Sequence, residues 1–335
     1  MRSVALVLST MLSASALLLL PATARCAADE PVKADVTVAA DGSGQYKTVT
    51  AAINASPIIA DPRSGKTWTI FVKAGTYREL LYIQREKRFT RIVGEDAART
   101  IITFDLSANM PNADGAKIGT FRTPTVVVDA DDFVFENITL QNSAGRVGQA
   151  LAVRIDGDRV VFRNCRFLGY QDTILANRGR HYFQNCYISG ATDFIFGGAT
   201  AWFENCHIHC IGDGYITAAS TPFEQPFGFV FNNCRITAEK PEIKTFLGRP
   251  WRDFASVTFL NTDMFEAVRP QGWHNWGRPQ REQTARFAEY NSSGPGGSSA
   301  GRVAWARQLS DDEAKQITIQ RVLGGVDGWD PLKAH

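Results

Sequence analysis

The sequence predicts an all-β fold of one domain, a parallel β-helix in which short strands stack coil upon coil. Three observations lead there. A short pattern recurs along the middle of the chain, apolar residues alternate with period two around each copy, and no 11–18-residue window through this region carries a helical stripe. The copies are Phe135-Glu136-Asn137-Ile138, Phe162-Arg163-Asn164-Cys165, Phe183-Gln184-Asn185-Cys186, Phe203-Glu204-Asn205-Cys206 and Phe231-Asn232-Asn233-Cys234, with a weaker sixth at Phe259-Leu260-Asn261-Thr262. The Asn positions advance by 27, 21, 20, 28 and 28 residues. A unit of that size is too small to bury its own apolar face, so copies must stack, with neighbouring coils about 4.8 Å apart. The spacing places Asn at one turn position in successive coils and turns the following Cys or Ile inward.

Composition agrees with a folded chain of strands and tight turns. Of 335 residues, 44% are hydrophobic and 21% charged, with 28 Gly, 7 Trp, 8 Tyr and 21 Phe. The net charge of +2 and the lack of a Lys/Arg run exclude the basic footprint of a nucleic-acid binder.

A solenoid needs covered ends. Val49 to Ala60 reads as an amphipathic helix, with Val49, Ala52 and Ile53 on one face before Pro57, and is expected to cap the N-terminal end. Asp311 to Leu323 is expected to form a short helix near the other end, opened by a capping box of Ser310 and Glu313. Ser292 to Ser299, rich in Gly and Ser, reads as a loop. With no Pro/Gly-rich linker dividing the chain, one domain is expected over residues 33–333.

Residues 1–28 read as a secretory signal peptide: Arg2, an apolar run from Val4 to Leu20, then small-residue cleavage patterns at Pro21-Ala22-Thr23-Ala24 and Cys26-Ala27-Ala28. The expected location is therefore extracellular, or periplasmic and envelope-associated, with no membrane span. Removing the segment takes Arg2 and Arg25 and no acid, leaving 34 basic and 34 acidic side chains. Five cysteines remain: Cys165, Cys186, Cys206, Cys210 and Cys234. Four share the position after the repeat Asn, at a separation within disulfide range. The preferred reading pairs Cys165 with Cys186 and Cys206 with Cys234; the other is a reduced ladder of small apolar side chains.

Used as a ruler, the repeat also gathers polar residues. Asp172, Asp193 and Asp213 each follow their Asn by eight residues, and Gln149 precedes Gln171 by about one coil. Gln149, Gln171-Asp172 and Asp193 should thus stack on one face. Two close carboxyls cannot ionise independently, so one is pushed up in pKa, which yields an acid and a nucleophile from one residue type. Asp193 lies in the aromatic stretch Thr192-Asp193-Phe194-Ile195-Phe196-Gly197, and Arg249, in Leu247-Gly248-Arg249-Pro250-Trp251, suits a two-pronged hydrogen bond to a carboxylate. Asp213 is adequately explained as a turn residue. His207 and His209 face one side of a strand without a further ligand partner and read as packing or surface histidines. No metal or cofactor site is expected.

These motifs resemble those of the pectin methylesterases, the pectinesterase family of carbohydrate esterases, over most of residues 33–333. The resemblance runs through Asp41-Gly42-Ser43-Gly44-Gln45-Tyr46, Gly75-Thr76-Tyr77-Arg78-Glu79, Gly119-Thr120-Phe121-Arg122-Thr123-Pro124-Thr125 and Gln149-Ala150-Leu151-Ala152-Val153-Arg154. Its most specific parts are Gly169-Tyr170-Gln171-Asp172-Thr173, Asp193-Phe194-Ile195-Phe196-Gly197 and Leu247-Gly248-Arg249-Pro250-Trp251. It implies a right-handed, pectin-lyase-like β-helix that hydrolyses the C6 methyl esters of homogalacturonan. Asp193 then resembles the nucleophile, Asp172 the acid and base, Gln149 and Gln171 the oxyanion donors, and Arg249 the partner that orients Asp193. Trp251 resembles a sugar platform, Tyr170, Phe196 and Trp276 groove-lining aromatics, and Thr120 and Thr123 contacts to neighbouring sugars. The implied partner is a methyl-esterified polygalacturonate, with a monomeric enzyme.

The signal segment running directly into the domain resembles bacterial members; Ile174 departs from the Leu usual in the Gln-Asp-Thr motif. Other readings place a pectate lyase or polygalacturonase on the same fold, a thioesterase-like envelope protein, or a noncatalytic carbohydrate-binding solenoid. A lyase wants a calcium cluster of acids, a glycosidase wants acids across the glycosidic bond, and a binding solenoid has no need of the five catalytic-type groups together.

Overall fold

In the computed structural model, which describes Met1, residues 32–58 and residues 66–334, every pairing between strands is parallel. The expected signal peptide lies outside the described residues. Lys33–His335 form one compact unit. Each full coil contributes strands to three faces. The first sheet holds eleven strands, from Val36–Val38 through Phe133–Glu136, Val160–Arg163, Arg180–Gln184, Thr200–Glu204, Phe229–Asn232 and Ser256–Leu260 to Arg307–Gln308. A second face stacks Thr139–Asn142 on Arg166–Leu168 and the start of Tyr187–Gly197; a third stacks Val126–Val128, Val153–Ile155, Ile174–Ala176 and the end of Tyr187–Gly197. The result is the parallel β-helix that the repeats imply, with the right hand that the resemblance implies.

Register explains the repeat residue by residue. Phe135, Phe162, Phe183, Phe203, Phe231 and Phe259 pair in sequence across the first sheet and point into the core. Their rings stack with centroids 5.2, 4.9, 4.5, 4.4 and 4.5 Å apart. Burying each ring contributes roughly 1.5–3 kcal/mol, and each stacked pair about 0.5–1.5 kcal/mol more. Two residues on, Asn137, Asn164, Asn185, Asn205, Asn233 and Asn261 turn the chain with φ between 48° and 53°. Asn is among the few residues that enter this left-handed region at low cost, which is why the pattern repeats it.

A seventh copy escaped the sequence pattern. Asn291 has φ 52°, but the core position two residues earlier is Glu289 instead of Phe. That carboxylate is almost fully buried, pairs with Arg302 at 2.8 Å and accepts the Trp273 indole N–H at 3.0 Å. Here the hydrophobic column ends. Trp273, Phe287 and Trp305 pack across the last core layer.

Three expectations need correction. All five cysteines are free and buried. Cys165, Cys186, Cys206 and Cys234 direct their thiols to backbone carbonyls of the preceding coil, those of Phe135, Phe162, Phe183 and Phe203, at 3.4–3.6 Å. The reduced ladder therefore replaces the two proposed disulfides. The N-terminal helix, α1, is only Val49–Ala55, because Ser56 turns extended ahead of Pro57; Val49, Ala52 and Ile53 are its buried face, joined to the core. The C-terminal helix is two, α2 (Asp311–Lys315), with the expected Ser310–Glu313 capping box, and α3 (Ile319–Leu323), capped anew by Thr318. They do not close the end of the helix. Val322 and Leu323 pack on Val134, Val161, Tyr182, Trp202 and Val230, the outward row of the first sheet. Ion pairs from Arg180 to Asp158 and Asp327, both at 2.6 Å, hold the segment down. A sheet apolar on both faces needs such a cover.

Candidate active site

The candidate site sits where coils turn from the second sheet into the third. In one coil this corner is Gly169–Thr173, between strands Arg166–Leu168 and Ile174–Ala176. In the next, the strand Tyr187–Gly197 runs through the corner without a break, bent by register shifts on either side of Thr192. Isolated parallel bridges align Gln149 with Gln171 and Gln171 with Thr192. The following residues, Asp172 and Asp193, thereby occupy equivalent places one coil apart. Both have left-handed backbone, φ 64° and 52°. Asp tolerates this better than most residues, but the conformation still costs on the order of 1–2 kcal/mol at each position.

Beyond the corner, the outward row of the third sheet forms the floor. Leu175, Phe196 and Ala218 are in register, and Leu151, Trp251 and Trp276 pack with them. Strand Thr245–Gly248 brings in Arg249 and Trp251, whose amides bond to Thr217 and Ala219 carbonyls at 3.0 and 2.9 Å. Gly248 is required there: a Cβ would lie 2.0 Å from Thr217 Oγ1. The cavity so formed, about 270 Å³, is lined by Gln149, Gln171, Asp172, Asp193, Arg249 and a wall of Thr120, Phe121, Phe196, Ala218, Trp251 and Trp276.

Asp193 receives both prongs of Arg249, Nε at 2.8 Å and the terminal nitrogen at 2.6 Å. The guanidinium is itself clamped, with the Tyr215 and Trp276 ring centroids each 3.8 Å from its carbon. The carboxyl side chains differ in their compensation. Burial pushes the Asp172 carboxyl up to about 8, reinforced by the charge of Asp193 and only partly opposed by Arg249. Burial also raises Asp193, but the Arg249 hydrogen bonds and charge oppose it directly. Of the two, Asp172 is therefore the carboxyl that its surroundings hold more strongly toward the protonated form.

Two expected groove residues lie outside this lining. Thr123 is fully buried, donating to the Thr120 carbonyl at 2.8 Å and accepting the Leu151 N–H at 3.1 Å, so it braces the wall from behind. Tyr170 carries the Arg146 guanidinium 5.1 Å over its ring. Asp213 is exposed and accepts the Lys244 N–H at 2.9 Å. Its strand has looped out: Gly190 pairs with Cys210 but Thr192 with Tyr215, so the eight-residue spacing no longer marks the same place. That loop is also why Tyr215 escaped the sequence ruler. Phe121, half exposed, lines the cavity beside Thr120 in the same Gly119–Thr125 motif, where an apolar side chain gives the sequence no chemical signal of its role. His207 and His209 share the Thr237 hydroxyl, each at 2.7 Å. Among the described residues no helix is long and apolar enough to cross a membrane.

Such a site offers a carboxyl held by an arginine, a second carboxyl one coil away that burial shifts toward its protonated form, two stacked amides and aromatic walls. The family model described as Pectinesterase matches residues 35–326. Pectinesterase 31 from Arabidopsis thaliana is 42% identical over 285 residues, covering 83% of this chain and 89% of that protein. The pectin methylesterase from carrot superposes with TM-score 0.82 at 32% identity, over 89% of this chain and 95% of that one. A pectin methylesterase in complex with a hexasaccharide superposes with TM-score 0.76 at 30% identity, over 90% and 99%.

Proposed function

The chain belongs to the pectinesterase family, and from that premise we propose how its site hydrolyses the C6 methyl esters of homogalacturonan. As a member it is a carboxylic ester hydrolase that releases methanol from methyl-esterified pectin and leaves pectate. The Asp193 carboxylate attacks the ester carbonyl carbon. The carbonyl electrons move onto oxygen, where the side-chain amides of Gln149 and Gln171 donate hydrogen bonds to the oxyanion. As the tetrahedral intermediate collapses, Asp172 gives its proton to the methoxy oxygen and methanol departs, leaving an acyl-enzyme anhydride on Asp193. Asp172, now a carboxylate, takes a proton from water as its oxygen attacks the acyl carbon. Collapse frees galacturonate and restores both aspartyl groups.

The observation that carries this reading is the unequal treatment of the two carboxyls, one paired bidentately with Arg249 and the other buried without a cationic hydrogen-bond partner. Weak carboxylate nucleophilicity is offset by placement, since a well-oriented intramolecular attack is worth up to about 7–11 kcal/mol. Trp251 serves as a sugar platform, with Phe196 5.7 Å away and Thr120, Phe121 and Trp276 completing the groove wall. The enzyme is read as a monomer, since α1 and the Trp273–Trp305 layer pack on the two ends of its core, and as secreted from the signal-like residues 1–28.

The test is methanol release from methyl-esterified pectin, with pectate as control. Asp193→Asn is expected to abolish release while the protein keeps its β-sheet spectrum; retained esterase activity in that variant overturns the nucleophile assignment.

A further inference from the structure

Arg249 holds Asp193, but Arg249 must itself be held. Its guanidinium lies between two rings, and one of them, Trp276, sits on unfavourable backbone with φ 63°. That conformation is strained for an aromatic residue and needs a local bond to keep it. His274 supplies one: its Nδ1 accepts the Trp276 N–H at 3.0 Å, so the ring proton resides on Nε2. The next residue repeats the device, as Asn275 Oδ1 accepts the Gly277 N–H at 2.9 Å.

The His274 ring is fixed in turn. It packs against Tyr215 at 5.4 Å and Phe246 at 5.3 Å, and those two rings stack on each other at 5.4 Å. Tyr215 is the second jaw on Arg249. His274 thus touches one jaw through its ring and anchors the other through its lone pair.

We propose that His274 is a positioning residue for ester hydrolysis, holding Trp276 and Tyr215 closed on Arg249 and, through Arg249, fixing the charge and orientation of Asp193. The inference rests on Asp193 acting as the nucleophile. It requires neutral imidazole, because a protonated Nδ1 has no lone pair to offer. Burial and the nearby Arg249 charge both keep the ring neutral. The other charged groups around it are Arg269, whose guanidinium carbon lies 5.2 Å from the Phe246 ring centroid, and Glu282, which accepts the Asn275 amide N–H on the same loop.

The experiment compares His274→Leu, which fills the space without an acceptor, with His274→Asn, whose amide oxygen can accept the same N–H. The readout is the pH profile of kcat/KM for methanol release. If the arginine clamp loosens, Asp193 becomes harder to ionise, since an adjacent cation lowers a carboxyl by about 1–3 pH units. His274→Leu is expected to lose at least about tenfold in kcat/KM and to shift the acid limb upward by about one pH unit. His274→Asn is expected to recover most of the rate and return the limb to its wild-type position. A purely structural role would lower the amount of active enzyme without moving the limb, because limb position is independent of active concentration. An unmoved limb in His274→Leu, or an Asn variant as impaired as the Leu variant, overturns the proposal. If Asp193→Asn is inactive yet the limb stays put, the positioning role fails alone; if Asp193→Asn is active, the nucleophile reading fails first.

Discussion

The interior column behind the first sheet and the corner that carries Asp172 and Asp193 are built from the same coils by opposite means. In the column each layer repeats the last: Phe on Phe, thiol over carbonyl, Asn in a left-handed turn. In the corner nothing repeats more than twice, strands run on through the bend, and Asp or Trp takes the strained backbone. Redundancy stabilises the first region; the second spends part of that stability on holding charge in a buried place. The comparison implies that substitutions in the column change stability while leaving the rate per folded molecule unchanged, whereas those in the corner change rate and release whatever stability the buried charge costs.

Arg249→Leu should break the corner hardest. It leaves Asp193 buried beside Asp172 without its cation, so the pair holds more protons and the nucleophile is lost. Methanol release is expected to fall by at least about 10³-fold, with a lower melting temperature as well because a buried carboxyl loses its cation; a variant within tenfold of wild-type release would break the assignment. Phe203→Ala should do the converse. Removing a ring stacked on both sides costs about 3–5 kcal/mol of stability by denaturant titration, while turnover per folded molecule stays near wild type. Gln171→Ala is expected to cut kcat by roughly 10²–10³-fold with a smaller effect on KM; unchanged turnover would remove its oxyanion role.

The acidity of Asp172 gives a prediction of sign as well as size. Its folded pKa is raised from 3.8 to about 8, so the proton needed for methanol departure is present below pH 8 and lost above it. kcat/KM for acylation should fall about tenfold per pH unit above that point. By linkage, the same ionisation removes stability as pH rises from 3.8 to about 8. The melting temperature of Asp172→Asn should therefore gain on wild type across that window and be level with it below; a gap independent of pH would contradict burial as the cause. The smallest expected effect is in the column again. Cys206→Ala removes one sulfur from a close-packed ladder and should cost roughly 1 kcal/mol, and titration of the denatured, unreduced Lys33–His335 unit should return five thiols.

What was legible from sequence was whatever repeats. Asn in a turn and an apolar residue on each side form a local code, so the fold class, the inward Cys and Ile, and the stacking of Gln149, Gln171, Asp172 and Asp193 along the corner follow from counting residues. Their roles in the site came from chemistry and resemblance. The ruler failed where the coil length changed. Three extra residues between Cys210 and Tyr215 threw Asp213 outward and brought Tyr215 onto Arg249. It failed again at Glu289, where a buried ion pair stands in for the expected ring.

Sequence by itself therefore determined the stacked architecture and the kinds of groups brought to one face, because a parallel helix converts sequence spacing directly into spatial adjacency. Only the tertiary structure decided which carboxyl carries the proton, which aromatics grip the arginine, where the C-terminal helices lie and that the thiols stay apart. Those depend on burial, on bulges and on contacts between residues dozens of positions apart, and no local period records them.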